Sequence, residues 1–189
     1  MSETRVVLKE DVGEVEMNRL AAREGWIFGG EIDRTDETPF ERFWHTPDGA
    51  ASLHYVEDWI IGLVYVVVDA PDPAPLAEAV RAALDGLSLA DALRMWGRAR
   101  TLEEKADALY HVGAMAPAAF DAEVFAAFER AFKDADPEVR RAAVLAAFYT
   151  RWPQFEAPLQ RMAFDADERL SRYARVTLEQ LRAHHWPAR

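Results

Sequence analysis

The sequence predicts an α+β N-terminal domain, an antiparallel sheet with a hairpin and two helices, followed by a short all-α domain of repeated helices. Three observations carry this. Strand signals crowd the first 70 residues and vanish from Ser88 onward. The helix-starting segment Asp134-Ala-Asp-Pro-Glu-Val-Arg-Arg recurs in looser form 31 residues further on. The helix that this segment begins has almost no exposed face, because nothing between Arg141 and Tyr149 is charged, so it must be covered on several sides. The domain boundary is expected between residues 87 and 88, giving domains 1–87 and 88–189.

At 189 residues the chain can form one large or two small domains. Half of the 189 residues are apolar and 29% are charged, enough for a sizeable core and unlike a disordered chain. There is no cysteine, which removes disulfides, thiolate chemistry and cysteine zinc sites and fits a reducing compartment. The N-terminal Met-Ser-Glu-Thr-Arg lacks a basic-then-apolar signal segment, and the longest apolar run, from Trp59 to Val68, is about half of what a membrane helix needs. The expectation is therefore a cytoplasmic protein with no membrane partner. Net charge is −11, with 10 Lys/Arg against 19 Asp/Glu in residues 1–100 and 12 against 14 in residues 101–189. Phosphate backbones repel such a chain, which disfavours nucleic acid, whereas a basic protein partner is attracted.

Residues 5–9 read as a short edge strand. Residues 13–25 read as a helix with Met17, Leu20 and Ala21 on one stripe and Gly25 as its stop. Residues 26–33 read as a strand whose Gly29-Gly30 pair marks a bulge, and residues 35–39 as a polar loop. Residues 40–57 read as a hairpin around Pro47-Asp48-Gly49-Ala50, with Asp48-Gly49 as the central pair. That register sets Trp44 opposite Leu53 and points both, with Tyr55, at the core. Phe43, His45, Ser52 and His54 take the other face. The unbroken apolar run 59–68 reads as the central strand, buried on both faces, and ends at Asp69-Ala-Pro-Asp-Pro73. Residues 74–86 then read as a helix, giving β-α-β-β-β-β-α with the helices on one side.

Helices are expected next over 89–98, 102–114, 121–133, 137–149, 154–164 and 167–183. In the second, Leu102, Ala106, Leu109, Tyr110 and Gly113 form the inward stripe, and in the third Val124, Phe125, Phe128, Ala131 and Phe132. The fourth begins with Asp136 as N-cap and Pro137 at the first helical position. The last turns Leu170, Tyr173, Ala174, Leu178 and Leu181 inward and Arg169, Arg172, Arg175, Glu179 and Arg182 outward. The 31-residue shift lays Asp134 and Asp136 on Asp165 and Asp167, Arg141 on Arg172, and Arg130 on Arg161. Helical pairs at such a period stack as a solenoid, because no pair buries its apolar face alone.

The segment Asp134-x-Asp136-Pro-x-Val-Arg140-x-x-Ala143 resembles a HEAT repeat. Asp165-x-Asp167-x-x-Leu-Ser-Arg172-x-Ala174 resembles a looser second copy, with Ser171 in place of Arg140, and residues 102–133 a third. The resemblance covers about residues 100–183. It implies a short HEAT-like α-solenoid that serves as a scaffold or binding surface, and it implies that Asp136, Arg140, Asp167 and Arg172 are structural, tying repeats together.

The Asp-x-Asp pairs lack the further ligands and the glycine of a calcium loop, so capping explains them, and no metal or cofactor is expected. His45 and His54, with Asp48 and Glu57 near, could suggest a transition metal; no third ligand is fixed, and solvent-facing histidines on a sheet are the preferred reading. His111 is expected to be partly buried, and His184-His185 to fall at a frayed terminus. No nucleophile, phosphate-loop or metalloprotease motif occurs. Arg130 and Arg161 hold equivalent places on the second helix of each pair, and Tyr149, Arg151, Trp152 and Phe155 crowd the adjoining connection. Arginine and aromatic residues together are the usual anchors of interfaces; the simpler reading, which is preferred, is that Trp152 and Phe155 pack between repeats and the arginines are solvated. The chain is thus expected to be a non-enzymatic protein–protein interaction module. An immunity-type inhibitor of a basic toxin is the alternative, and a metal-dependent enzyme using His45 and His54 a remoter one.

Overall fold

A computed structural model describes residues 2–36 and 38–185, with backbone alone for His184 and His185; the expectation for those two side chains lies outside what is described. The chain divides into two compact units, Met1–Ser88 and Leu89–Arg189.

The first unit is α+β. Its elements are β1 (Ser2–Val7), α1 (Glu14–Glu24), β2 (Ile27–Ile32), β3 (Phe40–His45), β4 (Ser52–Asp58), β5 (Leu63–Ala70) and α2 (Ala74–Ala83). The five strands form one antiparallel sheet in the order β1-β5-β4-β3-β2. Met17 and Leu20 of α1 and Ala77 and Val80 of α2 share a single core with Trp44, Leu53, Tyr55 and Val66, so both helices cover the same sheet face. The α1 helix stops at Gly25, whose φ of 69° is left-handed. The expected bulge lies between Phe28 and Gly30.

Three expectations are corrected by turn chemistry. The run 59–68 is not all strand: the carboxylate of Asp58 accepts the Ile60 N–H at 3.1 Å and Gly62 has a φ of 68°. These features turn the chain at residues 59–62, so β5 begins at Leu63. It lies second from one edge, and β4 is central. In the hairpin, Trp44 does stand opposite Leu53. The tight turn, however, is closed by the Gly49 N–H on the Thr46 carbonyl at 2.8 Å, which centres it on Pro47-Asp48. Proline presets the first corner's φ, and Gly49, with φ 67°, supplies the left-handed step after it. Finally, α2 ends at Ala83, and Asp85 rather than Gly86 takes the left-handed conformation, with φ 49°.

The second unit is all helical: α3 (Leu89–Arg98), α4 (Leu102–Met115), α5 (Ala122–Ala131), α6 (Pro137–Thr150), a 3₁₀ turn (Pro153–Phe155), α7 (Glu156–Met162) and α8 (Glu168–His185). The α6 helix packs between α4 and α8, while α5 packs on α3, α4 and α6. That position explains its charge-poor sequence. The α4–α6 approach is closest at Gly113, where an added Cβ would stand 3.0 Å from the Ala146 carbonyl carbon and Cβ, and nearer still to its oxygen. Leu102, expected inward, is exposed in the first turn of α4, and Ala108 and Val112 fill the core instead.

A ladder of charges links these helices. Thr101, Asp136 and Asp167 start α4, α6 and α8, each accepting a backbone N–H of the first turn. Four residues after each start stand Lys105, Arg140 and Ser171. The Lys105 ammonium donates to Asp134 at 2.7 Å. The Arg140 guanidinium grips Asp165 with two bonds of 3.1 and 3.0 Å, and donates to the Asp134 and Ala135 carbonyls. Each cation therefore reaches the acid that precedes the next helix but one, α4 reaching α6 and α6 reaching α8. The ladder ends at Ser171, whose hydroxyl donates to the Ala163 carbonyl at 2.7 Å. The ties between helices thus use Asp134 and Asp165. Asp136 and Asp167, expected to make them, cap helices, and Arg172 sits on the exposed side of α8 outside the ladder.

Candidate interaction surfaces

The aromatic connection expected to anchor a partner is core. Trp152 is 2% exposed and its indole N–H donates to the Pro117 carbonyl at 2.9 Å. Its ring stacks on Phe155 at 5.9 Å, and Phe155, fully buried, meets Phe125 and Phe128 at 5.1 and 4.9 Å. Tyr149 is buried too. Arg151 ends α6 with a left-handed φ of 54°, and Trp152 precedes and Phe155 ends the 3₁₀ turn that follows. Arg151, Arg130 and Arg161 remain on the exposed surface. Of the six expected contact residues, only these three arginines are exposed.

The histidine pair does not converge. The two ring nitrogens of His54 are occupied by Glu41 at 2.7 Å and Ser52 at 2.8 Å. The Phe43 ring stacks on His54 and meets His45 edge-on, at 5.5 and 5.8 Å. Among the described residues, no group of three His, Asp or Glu side chains is placed to hold a metal. His111 is buried in α4, its Nδ1 2.9 Å from the Asp107 carbonyl oxygen.

The clearest exposed apolar feature is the outer strand β2. Ile27, Phe28 and Ile32 are 57%, 55% and 48% exposed, and no residue of the strand is buried. On the helix side, Phe28 meets Trp44 edge-on at 6.1 Å. Here Asn18, Phe28, Gly30, Glu31, Arg42 and Trp44 line an open groove of about 600 Å³. Arg42 lies over the Phe28 ring at 5.7 Å and is held by Glu31 at 2.6 Å and by Glu14. The carboxylate of Glu31, by bonding it, raises the Arg42 pKa. Ile27 and Ile32 pair with His45 and Glu41 on the opposite face.

Sequence reasoning placed β2 and its bulge but missed this surface. The available signal was the lack of a single apolar parity: Ile27, Phe28 and Ile32 fall on both faces, as they do in a strand with little to bury against. Charge sharpens the picture. Residues 1–88 hold 7 Lys/Arg against 18 Asp/Glu, and residues 89–189 hold 15 of each. The whole formal charge of −11 therefore belongs to the first unit.

No protein-family model, curated protein or solved structure matches the chain. Among the described residues, no helix is long and apolar enough to cross a membrane.

Proposed function

We propose that this protein is a non-enzymatic protein–protein interaction module of the cytoplasm, in which the α+β unit is followed by a short HEAT-like α-solenoid. The observation that carries the reading is the outer strand β2, which offers three large apolar side chains to solvent on a strand with an open side. Apolar side chains exposed on both faces of an open sheet edge fit the recognition of an extended segment, which pairs with the backbone and meets alternate side chains. The solenoid part of the reading draws support from the charge ladder, which repeats one contact from helix to helix. The test is affinity capture with the tagged full chain in its native host, read by mass spectrometry. A protein enriched well above a tag-only control is expected, and no enrichment under mild salt overturns the reading.

A second reading, an immunity-type inhibitor of a basic toxin, is favoured by the concentration of the −11 charge in residues 1–88. It requires the captured partner to be basic and its binding to weaken with salt. The His45/His54 enzyme reading has the least support, because His54 is already engaged on both nitrogens.

A further inference from the structure

From the β2 edge we infer the kind of partner: an extended, basic segment of another protein that adds to the sheet as a sixth strand beside Ile27–Ile32. The inference rests on the interaction-module reading and deepens it.

The geometry argues for strand addition. β2 ends the sheet order, so half of its backbone N–H and C=O groups face away from β3, as at any sheet edge. Natural edges are guarded by Lys, Pro, bulges or inward charge. Ile27–Ile32 contains no Lys or Pro, its one charged residue, Glu31, is tied to Arg42, and the bulge between Phe28 and Gly30 leaves the residues on either side of it open to an added strand. Main-chain bonds to an added strand supply affinity, and alternate side chains supply specificity. The groove beside Phe28 and Trp44 fits one large apolar side chain of the incoming strand on the helix side. Ile27 and Ile32 receive its neighbours on the other side.

Charge selects the occupant. A second copy would bring another unit of −11 against this one, a repulsion that disfavours β2 pairing with itself. A segment carrying Lys or Arg is attracted by this net charge, to which the exposed Asp33 and Asp36, on either side of Arg34 just beyond the strand, contribute. Apolar residues alternating with basic ones satisfy both the edge and the field.

The test uses the full chain and a library of fluorescent nine-residue peptides in which Lys or Arg alternates with Val, Ile, Leu or Phe, with glutamate counterparts as controls. Basic members are expected to bind, to slow amide exchange at residues 27–32, and to lose about ten-fold in affinity between about 50 and 500 mM salt. Ile27→Lys with Ile32→Lys should weaken binding at least about ten-fold with little change in melting temperature, since both side chains are already exposed. N-methylation of alternate peptide amides, which leaves the protein untouched, should abolish binding. The proposal is overturned if no member binds, if glutamate peptides bind equally, if protection maps elsewhere, or if self-association protects residues 27–32 instead. Its failure is separable from that of the module reading. A native partner captured equally by wild type and by the double variant removes strand addition alone, whereas no partner for either removes both.

Discussion

Replacing Arg140 by methionine keeps most of the stem and deletes four hydrogen bonds: two to Asp165, and one each to the Asp134 and Ala135 carbonyls. The side chains of Arg140 and Asp165 are 18% and 13% exposed, so solvent screens the pair only in part. A bond involving a charged group contributes about 1.5 kcal/mol at the low end of the usual range, and the two bonds to Asp165 set the scale. Arg140→Met should therefore cost about 3 kcal/mol, part of it from leaving Asp165 without its cation. Asp165→Asn should cost about 2 kcal/mol, because the Asp167 N–H bond can survive on the amide oxygen. The two changes share one interaction, so the double variant should lose about 2 kcal/mol less than their sum. Urea melts followed by helical circular dichroism at 222 nm give all four corners of the cycle. A coupling below about 0.5 kcal/mol, the level of ordinary additivity error, would refute the ladder as a tie between α6 and α8.

Further outcomes follow from the same structure. Gly113→Ala forces a methyl against the backbone of Ala146 and should cost about 2 kcal/mol, read as a lowered urea midpoint; an unchanged midpoint would mean that α4 and α6 are not in such close contact. Phe155→Ala should lose about 4 kcal/mol, as a fully buried ring meeting four other aromatics does. Phe164→Ser, at a residue 90% exposed, should stay within about 0.5 kcal/mol; the reverse order of these two midpoints contradicts the packing described. The carboxyl of Asp134 is held below its usual pKa by the Lys105 hydrogen bond and then by the Asp136 N–H. For Asp165 burial pushes upward, but Arg140 and the Asp167 N–H outweigh it and the net direction is down. A depressed folded pKa means stability that is fully present above about pH 4 and lost as pH falls further, the unfolded chain taking up its protons first. Asp134→Asn with Asp165→Asn should flatten that acid-side decline in melting temperature, and an equally steep decline in the variant rules the assignment out.

Much of the architecture was readable in the chain because local signals and long-range packing agree there. The order β-α-β-β-β-β-α and the six helix positions after Ser88 follow from periodicity, caps and breakers. Where expectation failed, a backbone detail outweighed composition. The run beginning at Trp59 is as apolar as any strand, yet the Asp58 side chain and Gly62 turn it. Trp152 and Phe155, in a proline-flanked connection, can be read as interface anchors or as packing between helices, and the structure decides for packing. The α4 capping box, in which Thr101 Oγ1 accepts the Glu104 N–H and Glu104 accepts the Thr101 N–H in return, was present in sequence as Thr-x-x-Glu and went unread.

By itself, the sequence determined the two-part organisation, the identity of nearly every element, the absence of thiol chemistry and the acidic surplus. Only the tertiary structure decided that β2 is the second edge of the sheet, which acid of each Asp-x-Asp pair meets a cation, and which aromatic residues reach solvent. Strand order and burial depend on partners far apart in the chain, such as Ser2 with Ala70 or Trp152 with Pro117. Residue spacing encodes which face a side chain takes, but not which segment arrives to cover it.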